Sequence, residues 1–128
     1  MDPVAGWVFG AGLVTMGAMV HYMKNQITRG NIQRNSAVGI RTKATMSSDR
    51  AWAVGHAAAS PMLTATYLTA YSVGVIAFAI TVGVTLSDSE NPAVIIAPLA
   101  GMGVVLALLT AAAVKANSAA RAVDSDND

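Results

Sequence analysis

The chain has 128 residues, 54% of them from the set AVILMFWYC with 11 glycines besides, and only 12% are charged. Ordinary soluble domains carry about 25% charged residues, so this chain has too little polar surface to face water on all sides, which excludes a soluble enzyme of the usual kind. The net charge of +1 is uninformative, and the absence of cysteine excludes disulfides, thiolate metal centres, iron–sulfur clusters and catalytic thiols.

The first predicted element is an apolar stretch from Pro3 to Met23, free of charge and closed by His21 and Tyr22. A bilayer core of ~30 Å needs ~20 apolar helical residues, and this stretch has that length. Asp2 is the only early charge, so the basic start of a secretory signal peptide is missing and a membrane span is the expectation. Gly6-x-x-x-Gly10, followed by Gly12 and Gly17, lets another helix approach closely, either within the chain or in a second copy.

A basic loop follows, residues 24–50. It carries Lys24, Arg29, Arg34, Arg41, Lys43 and Arg50. Gly39 suits a tight turn or a close backbone approach. Ser47 or Ser48 is a candidate helix N-cap, with Asp49 placed favourably in the first turn. On the helix that follows, Asp49, Trp52, His56 and Ser60 fall on one stripe at helical spacing. The charge-free run from Ala51 to Leu86 is too long for one crossing, since 36 residues would reach ~54 Å. It is expected to divide near Ser60-Pro61 into a short interfacial helix and a crossing from Pro61 to Leu86. Trp52 would then sit at headgroup level as a membrane anchor.

The segment Leu-Ser-Asp-Ser-Glu-Asn-Pro, with Asp88 and Glu90, reads as a tight turn, and Pro92 suits the start of a third span, Asn91 to Val114. Pro98 is expected to kink that span, while Gly101 and Gly103 offer a second close-packing face. Residues 116–128 are polar and are expected to be a disordered tail. Every Lys and Arg lies in the 24–50 loop or after span three, none before span one or between spans two and three. Positive charge stays on the cytoplasmic side, so the expected N-terminus is outside and the C-terminus inside. The architecture expected is an all-α, integral membrane three-helix domain over residues 1–115.

No Walker loop, His-Glu-x-x-His or Gly-x-Ser-x-Gly motif is present. The two histidines are distant in sequence and lack paired carboxylates, so no metal site is expected. No cofactor is expected either. No Asp, Glu, Lys or Arg lies inside a span, which disfavours an ion-coupled exporter. The basic loop lacks the interleaved aromatics of a nucleic-acid stacking surface. Its juxtamembrane position makes the anionic lipid bilayer the better partner.

One ordered pattern stands out in the loop: Asn35, then Gly39-Ile40-Arg41-Thr42, then Thr45, Ser47 and Ser48, then Trp52 and His56. It resembles the SdpI family of bacterial membrane proteins, known for immunity to a secreted membrane-active toxin peptide. Lys43 and Ala44 depart from common members, where proline and an aromatic residue often stand. The resemblance implies a non-enzymatic protein of the bacterial cell membrane that binds or blocks a membrane-active peptide, with the loop motif fixing the helices or recruiting a partner. The alternative is a small accessory subunit of a larger membrane complex, and a homo-oligomer suits the glycine faces. On either reading the loop should fold back on the inner helix ends, with Arg41 paired to Asp49 or to the end of span one near His21 and Tyr22.

Overall fold

A computed structural model describes residues 3–126. It contains three helices: α1 (Pro3–Thr28), α2 (Asp49–Ser87) and α3 (Ala93–Asp126). All three are long and apolar enough to cross a membrane, as the charge-free stretches predict. The helices run antiparallel in sequence order. The position of Gly6 faces Thr81 and that of Gly17 faces Ala70, while Gly101 lies on Val73 and Gly55 on the Ala116 carbonyl. Helix α2 is the central element, packed along both neighbours, and α1 meets α3 over a smaller area.

The core is thin and built in layers. Leu13, Ala70 and Val105 fill the middle of the bundle, one from each helix. Nearer the loop end, Val20 meets Ala59, Leu63, Ala112 and Ala116. Buried Thr66 and Thr81 hydroxyls donate to the carbonyls of Met62 and Ala77 one turn back, at 2.7 Å each. Each threonine thus satisfies its own polar group inside the bundle. The outward helix faces carry Val8, Leu68, Val75, Ile76, Ile96 and Leu106 exposed, the arrangement of a bundle solvated by lipid rather than water.

Three features differ from the sequence expectations. Helix α2 does not divide at Pro61: it is a single run of 39 residues, about 58 Å at 1.5 Å per residue. Ala59 and Leu63, on either side of Pro61, are both held in the core, so the helix continues past it despite the N–H donor that proline lacks. Helix α3 contains the buried Pro98 and runs through it as one helix.

The second difference is the tail. Residues 116–126 are the end of α3, not a disordered segment, and only positions 127 and 128 of that expectation lie outside the described residues. Ala112, Ala116, Ala120 and Val123 are buried. Their spacing draws an alanine stripe down one face, and Ala120 packs on Ala44 and Ala51. The polar composition of the tail concealed this apolar periodicity. The third is Gly103, whose missing side chain faces open space, as does that of Gly12. Gly6, Gly10, Gly17 and Gly101 do lie at close contacts between helices of the same chain.

The turn between α2 and α3 follows its sequence. Asp88 ends α2 in the left-handed conformation (φ 49°), a place where aspartate is tolerated. The Asn91 side chain accepts from the backbone N–H of Ala93, the first residue of α3, at 3.0 Å. This hairpin and the start of α1 form one end of the bundle. The loop 29–48 and the other three helix ends form the second, and all eight Lys and Arg residues gather there.

Candidate functional site

The loop closes the basic end of the bundle, and its fold is written in short polar side chains. Thr45 is fully buried. Its hydroxyl donates to the Ile40 carbonyl at 2.8 Å and accepts from the Thr42 backbone N–H at 2.9 Å. In return the Thr45 N–H donates to the Thr42 hydroxyl at 3.1 Å. Ser47 donates to the Ala44 carbonyl at 2.6 Å. Ser48, not Ser47, is the N-cap: its side chain accepts from Ala51 N at 3.0 Å, satisfying one of the free donors at the helix start. These bonds fold residues 40–48 into a compact turn without regular secondary structure.

The turn is seated on α2 by His56. The ring Nε2 accepts from the Ile40 backbone N–H at 2.9 Å, and Nδ1 lies 2.8 Å from the Trp52 carbonyl. An N–H donor at Nε2 requires a lone pair there. The ring is therefore neutral, with its proton on Nδ1 donated to Trp52. The side chain is 3% exposed, and no buried side-chain polar atom among the described residues lacks a partner. Ile40, one bond away, packs into the cluster of Val20, Ala59 and Ala116. A single loop residue thereby joins a core cluster to which all three helices contribute.

Trp52 is not the lipid-facing anchor expected of it. It is 5% exposed, its ring 4.1 Å from His56, and its Nε1 donates to the Ile32 carbonyl at 3.3 Å. The backbone at Gly39 lies directly against the indole. That glycine has φ +124°, and a Cβ there would come within 2.5 Å of the indole Cη2. The loop, rather than the headgroup region, covers the ring.

Arg41 also departs from expectation. Arg34 takes Asp49 instead, with Nε donating to the carboxylate at 2.7 Å and Nη1 to the Met46 carbonyl at 3.1 Å. Arg41 is exposed and has no hydrogen bond or ion pair among the described residues. Asn35 is exposed as well, and its side chain makes no bond to the rest of the motif. Of the predicted residues, then, Ile40, Thr42, Thr45, Trp52 and His56 are linked by hydrogen bonds, Gly39 lies against Trp52 and His56, and Ser47 and Ser48 bond the adjoining turn and helix start, while Asn35 and Arg41 are exposed. The sequence reading missed Gly55. A Cβ there would stand 2.9 Å from the Ala116 carbonyl and 3.1 Å from the Thr45 methyl. The signal was available: Gly55 lies beside His56 within a motif already singled out.

The predicted stripe of Asp49, Trp52, His56 and Ser60 does share a face, and it forms one wall of a cavity of about 590 Å³. The end of α1, with Lys24 and Ile27, and the loop residues Gly30, Ile32, Gln33 and Arg34 complete the lining. A separate aromatic contact lies deeper, where His21 stacks on Tyr67 at 4.1 Å and its Nδ1 is 3.2 Å from the Tyr71 hydroxyl. No group of three or more potential metal ligands occurs among the described residues.

The site holds no nucleophile–base pair and no paired carboxylates. What the arrangement does is hold a turn in one shape against three helices. Comparison with known proteins matches residues 31–116 to the SdpI/YfhL protein family. That span begins in the loop and includes the whole cluster, α2 and most of α3. No curated protein and no solved structure matches.

Proposed function

The chain belongs to the SdpI/YfhL family, and from that premise we propose that it is a non-enzymatic, multi-pass protein of the bacterial cell membrane that protects the envelope against a membrane-active peptide. The observation carrying this reading is the loop cluster. Its polar groups are spent on holding one conformation, and what it leaves free is the Arg41 side chain displayed from a fixed turn. Such an arrangement suits recognition, not chemistry. The spans supply an apolar surface on which an incoming peptide is bound or blocked, and the displayed cation contacts a partner at the inner surface.

The test is protection of a sensitive bacterium by the expressed protein. Cells carrying the wild-type chain are expected to survive a membrane-active peptide that kills cells without it. Arg41→Ala should reach the membrane in normal amount, since the side chain has no bonded partner to lose, yet protect at least tenfold less. Lys115→Ala, an exposed cation on α3, serves as the control for charge alone. Equal protection by all three would leave the turn with no recognition role. Unchanged peptide sensitivity, with a larger membrane protein co-purifying in stoichiometric amount, would move the reading to an accessory subunit.

The proposed orientation places the basic end in the cytoplasm, because positive charge is retained there during insertion. Native cysteine is absent, so single cysteines report cleanly. Ser89→Cys, between Asp88 and Glu90 in the turn, should react with an impermeant thiol reagent applied to intact cells. Ser118→Cys should react only after the membrane is opened. The reverse pattern would overturn the orientation.

A further inference from the structure

The cavity of about 590 Å³ at the basic end is not used by the loop cluster, and its lining is graded. At the top lie Arg34 and Asp49, in the middle Lys24 and Ala57, and at the floor Leu63. The same gradient runs along the bundle. Lys24 borders the cavity with Ser60, and Lys115 adjoins the residue whose carbonyl faces Gly55. Two helices thus bring cations to the level of α2 residues 55–60. Beyond that level α2 carries no charge from Pro61 to Ser87, about 40 Å of helix, which more than spans a ~30 Å hydrocarbon core. The cavity therefore sits where headgroups meet acyl chains.

Its charge is also specific. Arg34 and Asp49 neutralise each other, and the Arg34 Nη2 has no partner among the described residues. Lys24 is half-buried and its ammonium likewise has none. Among the described residues, the lining therefore holds a cation without a counter-ion, a guanidinium edge with spare donors and the unbonded hydroxyl of Ser60, above an apolar floor. His56 is not available, because its acceptor is occupied by Ile40. From this we infer that the cavity binds one anionic phospholipid, its phosphate at Lys24 and Arg34 and the start of an acyl chain over Ala57 and Leu63. Basic pockets between helices on the cytoplasmic side take headgroups in this way, and the volume lies within the range of small-molecule sites. A free anion would leave the apolar floor unfilled, and an uncharged chain would leave Lys24 unpaired. The site is independent of any immunity role.

Trp52 lines the cavity and is one of two tryptophans, so Trp7→Phe makes it the only indole reporter. The protein bearing that change is reconstituted in phosphatidylcholine vesicles containing increasing fractions of phosphatidylglycerol brominated near the glycerol. Half-maximal quenching of Trp52 is expected at about a fivefold lower fraction than with brominated phosphatidylcholine, the preference one lysine supplies. Lys24→Gln should abolish the preference. Ala57→Leu, which fills the cavity from an exposed helix position, should reduce the maximal quenching at least twofold. Equal half-points for the two lipids, or full quenching in Ala57→Leu, would overturn the inference. Relief of quenching by millimolar inorganic phosphate would assign the cavity to a free anion instead. Relief by a hydrophobic helical peptide, equal in vesicles with and without phosphatidylglycerol, would assign it to a peptide and also overturn the lipid.

Discussion

Gly39→Ala is expected to unseat the loop from the bundle end at a cost of about 3 kcal/mol, from backbone strain and overpacking together. The backbone at φ +124° lies in a region that residues with a Cβ rarely enter. The new methyl would also be 2.5 Å from Cη2 and 2.8 Å from Cζ2 of Trp52. The indole cannot retreat, because its Nε1 is bonded to the Ile32 carbonyl and its face lies on His56. Moving Gly39 instead pulls Ile40 away, breaking the bond to His56 Nε2 and lifting the Ile40 side chain from the three-helix contact. The change is read in two ways in detergent micelles or bilayer discs. The amides of Ile40, Thr42 and Thr45 should exchange at least a hundredfold faster, and Trp52 emission in the Trp7→Phe background should shift to the red. Unchanged exchange and emission would show that the loop does not depend on the Gly39–Trp52 contact.

Gly55→Leu is expected to be as damaging, for a different reason. Here the backbone is helical and unstrained, but the position of a Cβ is 2.9 Å from the Ala116 carbonyl oxygen. That oxygen belongs to the α3 backbone and has no rotamer to change. Accommodation requires α2 and α3 to separate at the loop end, which opens the contacts of Ala51 and Ala120 with Ala44. Overpacking of this kind costs about 1–3 kcal/mol, and the exposed alanine stripe adds to it. Gly103→Leu is the matched comparison, since nothing lies within 4 Å of its Cβ position. It should be neutral or slightly stabilising, because leucine favours a helix by up to ~1 kcal/mol over glycine. Thermal unfolding of the two variants in the same detergent decides the matter. Equal melting temperatures would falsify the close approach of α2 and α3 at Gly55.

The glycines show how far the sequence is legible. Gly6, Gly10, Gly101 and Gly103 all read as packing positions from spacing and composition. Three of them meet a neighbouring helix and the fourth faces outward. Small residues permit close approach on whichever face they occupy, but the rotation of the helix about its axis is set by all its contacts at once. In lipid the outward face is as apolar as the inward one, so hydrophobic periodicity, which would orient a helix in water, carries little information here. The same degeneracy concealed the alanine stripe of Ala112, Ala116 and Ala120. Alanine scores as neither clearly buried nor clearly exposed, and a polar neighbourhood decided the reading.

The loop is the converse case. Its ordered pattern of glycine, threonine, serine, tryptophan and histidine marked out a structured segment, because short hydroxyl side chains bond their own backbone and histidine rewards a fixed partner. Their neighbourhood was thus readable. The partners were not: Asp49, one of two candidate partners for Arg41, belongs to Arg34, since two arginines seven residues apart reach the same carboxylate by different loop paths. The pair is also exposed, with side chains 41% and 87% accessible. It carries at most about 1 kcal/mol, too little to dictate the path of the chain.

The sequence by itself determined the three helices, their apolar length, the gathering of every cation at one end and the presence of a capped, bonded motif before α2. Each of these depends on properties local in the chain: transfer free energy per residue, charge distribution and capping chemistry. Tertiary structure alone decided that α2 is one helix through Pro61, that α3 continues to Asp126 and that Trp52 is covered by Gly39. It also decided that Arg41 stands free and that a basic, apolar-floored cavity remains between α1 and α2. These outcomes depend on which surfaces meet. In a bundle with so thin a core, that choice rests on single close contacts such as Gly39 on Trp52 and Gly55 on Ala116, whose partners lie far apart in the chain.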